Sequence, residues 1–422
     1  MRWSAAFLFV SISLWGGADD TFLLRNVTVH TVSGPDIAGG AVLVRDGKIE
    51  EVGQKVTAPK GMRVMDGKGL HVYPGMIDSA TEMGLSEIRS VRESNDANEI
   101  GTFNPQLRTL IAVNPASEHI PVTRANGITT VITMPGGGVI AGQAALIHLD
   151  GWTWEEMAVR QYAALDLRFP FLQTGGGRGG MMRAAQTPLA ERRRTYEKQL
   201  ADLRDFFESA RRYQAAKKAG RADFKADVKM EAMLPVLEGK VPVMVHAARE
   251  RAIREAIQFA EKQKIRIVLA EPREAEKVAA DLKAKDIPVI VPPTLIAPLQ
   301  EDDPYDKTYA LPAELQKAGV KIAFGTFTTS ASRNLPYQAA MAVAFGLPAA
   351  EALKALTLNP AEIWGIGSEY GSIEKGKWAD LMVTDGDPLE TRTQVKQVYI
   401  KGRAVDLENK HQKLYERYLN RP

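Results

Sequence analysis

The rhythm of apolar and polar positions changes twice along this chain. Residues 22–70 carry short β-branched runs: Phe22 to Val32, Ala41 to Val44, and Ile49 to Val52 after the turn Arg45-Asp46-Gly47-Lys48. Asp-Gly between two such runs predicts a hairpin. A second Asp-Gly, Asp66-Gly67, precedes Leu70. The middle of the chain alternates short apolar runs with helical stretches. The predicted strands are Val72–Ser79, Ile128–Met134, Ala144–Leu149, Leu167–Leu172, Val241–His246, Ile265–Ala270, Ile287–Val291 and Ile322–Thr326. Such runs suit strands buried on both faces. Arg249 to Gln263 and Glu274 to Lys285 carry helical spacing between them. The first style returns at Ala379 to Thr384 and Val395 to Ile400, with turns at Asp385-Gly386-Asp387-Pro388 and Lys401-Gly402-Arg403.

This pattern predicts an α/β chain: a TIM-like (β/α)8 barrel over 71–370, plus a small composite β-sandwich built from 19–70 and 371–410. Residues 411–422 are a tail. An open doubly wound sheet is the competing architecture, but no glycine-rich dinucleotide fingerprint follows an early strand. A helical insertion is expected at about 187–237. Thr187-Pro188 is a helix start, and Tyr196, Leu200, Leu203, Phe207 and Ala210 follow at helical spacing. Its Arg192-Arg193-Arg194 and Lys217-Lys218 runs are interspersed with acids, as on a solvated face. The run Gly175 to Gly180 lacks the Gly-Lys-Ser/Thr ending of a phosphate loop and reads as a lid or linker.

Charge and composition narrow the chemistry. The 54 basic and 51 acidic residues leave a net charge of +3, which makes no case for nucleic acid or an anionic membrane as partner. Zero cysteine excludes disulfides, thiolate catalysis and iron–sulfur clusters. Any metal must be held by the six histidines and by oxygen ligands. At the N-terminus, Arg2 precedes an uncharged, mostly apolar run from Trp3 to Trp15, followed by Gly16-Gly17-Ala18. This predicts a signal peptide over 1–18, cut after Ala18, and an exported protein, periplasmic or secreted. The run is shorter than the roughly 20 residues that cross a bilayer.

Five widely spaced stretches resemble the amidohydrolase superfamily. They are Val44-Arg45-Asp46-Gly47-Lys48-Ile49, Val72-Tyr73-Pro74-Gly75-Met76-Ile77-Asp78, Gly127-Ile128-Thr129-Thr130-Val131, Leu353 to Ala361 with its Leu-Asn-Pro-Ala ending, and Gly371 to Leu381. The resemblance covers nearly the whole chain after residue 18. It implies the barrel and composite β domain above, and hydrolysis of carbon–nitrogen bonds in a small molecule. It points to the imidazolonepropionase-like or dihydroorotase-like branches, in a family that often forms homo-oligomers. It also implies one or two divalent ions that activate water. The usual ligands are His-x-His after strand one, Lys or Glu at strand four, His at strands five and six, and Asp at strand eight.

This chain departs from that set. The His-x-His position reads Ala80-Thr81-Glu82, Gln173 stands near the expected end of strand four, and strand six ends in Glu271. Phe327 occupies the strand-eight Asp position, while His246, at the end of strand five, matches. His30, His71, His119, His148 and His411 are expected to be packed or surface residues. His246, Glu82 and Glu271 are therefore the candidate catalytic residues. Glu82 and His246 are the candidate metal ligands, for one zinc-like divalent ion or none. Two chemistries stay open: a mixed N/O metal site, or a metal-free set with a buried glutamic acid beside a neutral His246. Arg124, Gln143 and Arg333 are candidate substrate contacts. Two functions stay open as well: a hydrolase with a rebuilt site, or a non-catalytic barrel that binds a ligand or partner.

Overall fold

The computed structural model describes residues 20–172, 188–220 and 224–421. The proposed leader and the Gly175–Gly180 run lie outside the described residues.

The chain begins with β1 (Phe22–Val29), β2 (Ile37–Arg45), β3 (Lys48–Gly53), β4 (Arg63–Asp66) and β5 (His71–Pro74). The β2–β3 turn has Asp46 at φ +50° and Gly47 at φ +74°. Two positive φ values in succession match the right-handed twist of a hairpin. The barrel strands follow: β6 (Met76–Thr81), β7 (Ile128–Thr133), β8 (Ile140–His148), β9 (Ala158–Arg168), β10 (Val243–His246), β11 (Ile267–Ala270), β12 (Val289–Val291) and β13 (Ile322–Phe324). Then β14 (Leu381–Thr384), β15 (Val395–Ile400) and β16 (Arg403–Val405) return to the first domain.

There the strand order is β16-β15-β14-β5-β1-β2-β3, with β4 also paired to β1. All eight strands form one continuous sheet. The sheet folds over its own core, since the Phe22 ring on β1 stacks on Tyr399 of β15 at 4.6 Å. β5 lies between β1 and β14, so the two chain ends are stitched together through it.

The predicted first barrel strand, Val72–Ser79, is in fact two strands in two sheets. β5 belongs to the β domain, so the boundary expected at 71 lies at Gly75. A Cβ at Gly75 would come within 2.3 Å of the Thr129 side chain, which explains why the joint is glycine.

The barrel sheet runs β13-β12-β11-β10-β9-β8-β7-β6. The Thr326 and Phe327 N–H groups donate to Ala80 O and bring its edges together. Ile77, Ile132, Leu146, Met244, Val268, Ile290 and Ala323 fill the interior. One strand breaks the parallel pattern: β8 runs antiparallel to both β7 and β9. The predicted fourth strand is also misplaced, because β9 ends at Arg168 where Leu167–Leu172 was expected. The insertion comprises helices Leu189–Lys218 and Val228–Leu237. Leu203, Phe207 and Ala210 of its long helix are buried against the barrel core. The tail forms a helix, Lys410–Leu419, that buries none of its side chains.

Candidate active site

In parallel barrels the loops after the strands form the site-bearing face. On β9, Leu165 and Leu167 pack outward with the helices, so Ala164, Asp166 and Arg168 face the axis. On β10, Met244 faces inward and so, two residues on, does His246. In the β9–β10 register Met244 aligns with Asp166 and His246 with Arg168. The fully buried Asp166 accepts a hydrogen bond at Oδ2 from His246 Nε2, at 2.8 Å. From the end of β11, Glu271 brings Oε2 to 3.8 Å from His246 Nδ1. That second ring nitrogen is buried and has no hydrogen-bond partner, and neither has Asp166 Oδ1.

Burial alone would lower the His246 pKa. The Asp166 charge and hydrogen bond, aided by Glu271, outweigh it and push the pKa up to about 9. His246 is therefore an imidazolium at neutral pH, unlike the neutral imidazole of the metal-free alternative left open by the sequence. The Phe327 ring stands edge-on to it at 6.1 Å. Glu271 and Phe327 hold φ at +52° and +57°. Such values are strained for residues with a Cβ, and such strain clusters at functional sites.

Glu82 does not complete this group. Its carboxylate is gripped by Arg89, with Nη2 2.8 Å from both oxygens and Nε 3.2 Å from Oε2. Arg124 donates to Asp406 O, Leu149 O and Asp150 Oδ1, tying the barrel to the C-terminal strands. Gln143 donates to Pro105 O at 2.9 Å and pins the connection between β6 and β7. Arg333 donates to His411 Nε2 at 3.0 Å on the C-terminal helix. These contacts make Arg124, Gln143 and Arg333 structural ties, not members of the His246 group. His148 ends β8, but that strand is reversed, so it lies at the opposite end of the barrel. There it pairs with buried Asp380 at 3.1 Å.

Sequence reading missed Asp166, because the fourth strand was set too late. The available signal was an acid inside the apolar run Ala163-Ala164-Leu165-Asp166-Leu167. It also missed Asp78, which is fully buried on β6. Burial raises its pKa to about 7, against hydrogen bonds from the Thr326 hydroxyl, Thr326 N–H and Ala80 N–H.

These donors do not fit the divalent centre common in the family. Ala80 packs in the barrel interior, Phe327 presents a ring, and Arg89 occupies Glu82. Among the described residues no three His, Asp or Glu side chains are grouped to hold a metal ion. The set Glu82, His246 and Glu271 thus separates into a His246–Glu271 pair and an arginine-bound Glu82.

Comparison with known proteins places the fold. The chain is 25% identical over 404 residues to Amidohydrolase tasK of Hapsidospora irregularis, a match covering 86% of this chain. It spans only 40% of that relative's length. It is 27% identical to an imidazolonepropionase of Acidiphilium cryptum (strain JF-5), covering 87% of this chain and 94% of the relative. The solved structure of an amidohydrolase from Thermotoga maritima MSB8 superposes with a TM-score of 0.81 at 31% identity, covering 91% of this chain and 99% of that one. The model of the amidohydrolase family matches residues 123–405. With the barrel, the composite β domain and these matches in agreement, the chain belongs to the amidohydrolase family.

Proposed function

We propose that this chain hydrolyses a carbon–nitrogen bond, in a non-peptide or cyclic amide of a small molecule, using His246 and Glu271 at the barrel mouth. The observation that carries this reading is the unpartnered His246 Nδ1, facing the Glu271 carboxylate at 3.8 Å. Asp166 holds the other nitrogen and keeps the ring charged. Nδ1–H is then a donor with no protein acceptor in hydrogen-bond range, available to a substrate carbonyl oxygen.

The steps follow from these groups. Glu271 takes a proton from water as the water oxygen bonds to the carbonyl carbon. The carbonyl π electrons move to oxygen, where His246 Nδ1–H stabilises the charge. Collapse re-forms the carbonyl and breaks the carbon–nitrogen bond, and the departing nitrogen receives the proton from Glu271. The products are a carboxylic acid and an amine, or one opened chain from a ring. Family membership and the imidazolonepropionase relative support this bond class. Among the described residues the donor set does not fit the family's divalent centre.

A panel of amides, imides and cyclic amides tests the reading, assayed with added divalent ions and with chelator. Turnover that survives chelation and is lost in His246→Gln is expected. Turnover retained by His246→Gln removes this mechanism, and no turnover of any member leaves the barrel as a ligand-binding protein. Export is proposed on the N-terminal run: protein secreted by a bacterial host should begin at Asp19 by mass spectrometry. A mature protein beginning at Met1 overturns that.

A further inference from the structure

Arg168 is the last residue of β9 and lies directly beside His246 in the strand register. It shares the axis-facing row with Asp166, two residues earlier. Its side chain is exposed. The acids nearest His246 face its ring, Asp166 hydrogen-bonded to it at 2.8 Å and Glu271 with Oε2 3.8 Å from Nδ1. Among the described residues no carboxylate pairs with Arg168. Residues 173–187, which continue the chain beyond it, contain Arg178 and Arg183 and no acid. Among the described residues, a guanidinium therefore stands next to the imidazolium with no carboxylate counter-charge of its own. Two adjacent cations repel, and the Arg168 charge works against the His246 proton.

We propose that Arg168 is the substrate-carboxylate receptor of this site, so that the molecule cleaved is an N-acyl amino acid or a related amide bearing a carboxylate near the scissile bond. A guanidinium suits this role, because its planar fork meets both carboxylate oxygens. A bound carboxylate would also supply the missing negative charge and orient the carbonyl toward His246 Nδ1. This inference rests on the hydrolase reading for the word substrate, but not for the binding itself.

The test pairs N-acylglycines, formyl to benzoyl, with their counterparts lacking the carboxylate, such as hippurate against N-methylbenzamide. Calorimetric binding to the full chain needs no turnover. Hippurate or a smaller acylglycine should bind at least tenfold more tightly than its neutral partner. Arg168→Gln should erase that preference, and Arg168→Lys should restore part of it. In turnover, Arg168→Gln should raise KM for the acidic member far more than for the neutral one, so that the preference in kcat/KM between the two collapses. An unchanged melting temperature checks the fold. Absence of carboxylate preference in every pair, or its survival in Arg168→Gln, overturns the proposal. Preferential binding without hydrolysis would keep Arg168's role and remove only the hydrolase reading.

Discussion

Asp166 and His246 face each other across two neighbouring parallel strands, and the acid reaches the ring from two residues below its level. The pairing sets the charge of the site. Asp166→Asn should therefore drop the His246 pKa from about 9 to the ordinary 6.5 or below, because burial then acts with less opposition. The imidazole resonances in an NMR titration read this directly. In turnover, the alkaline limb should move from near pH 9 to lower pH. A limb that stays in place would separate His246 from the rate.

The same shift has a stability consequence. The folded pKa lies above the unfolded value, so the contribution is complete below pH 6.5 and is lost as pH rises through about 9. Denaturant midpoints measured across that window should fall with pH. Asp166→Asn should flatten the slope.

Asp78 gives a second window. Its carboxyl is raised from 3.8 to about 7, so its contribution is present at acid pH and declines as pH rises between those values. Asp78→Asn should remove that slope. Thr326→Val removes the hydroxyl that donates to Asp78 Oδ2 at 2.5 Å and should cost about 1–3 kcal/mol by chemical denaturation. No loss would show that this bond does not hold the barrel edges.

Glu271 sits at φ +52°. Glycine tolerates that conformation, so Glu271→Gly should hold or raise stability by roughly 1 kcal/mol while removing the proposed base. Turnover should fall about 10²–10⁴-fold, the range for a general base. Stability gained with activity kept would make the strain incidental.

Glu82 is the contrasting case. Its own side chain is buried, at 11% exposed, but its partner Arg89 is 61% exposed and reaches solvent, which screens the pair in part. Glu82→Ala should change stability by no more than about 1 kcal/mol and turnover by less than twofold. A large activity loss would return Glu82 to the site.

The larger features were legible because their signals are long. The alternating ends and apolar middle foretold the composite β domain and the barrel, and the Leu353–Ala361 and Gly371–Leu381 stretches foretold the family. Strand ends were not legible, and the site depends on them. Placing the fourth strand at Leu167–Leu172 hid Asp166, since an acid before a strand looks like a loop residue. The reversed direction of β8 leaves no mark in hydropathy, so the end of the barrel at which His148 lies was not legible. His246 and Glu271 were legible as candidates because the C-terminal ends of their strands were set correctly, at His246 and Ala270. Arg89's hold on Glu82 comes from a loop whose path no periodicity encodes.

Gly75 alone separates β5 from β6. The first barrel strand is thus the direct extension of a strand in the other domain, whose neighbours come from opposite ends of the chain. β5 cannot be flanked on both sides until residues 381–384 exist, and their own partner, β15, comes later still. During synthesis the anchor of barrel strand one must wait for nearly the whole polypeptide. This topology predicts that folding completes late and that neither domain is stable when expressed alone.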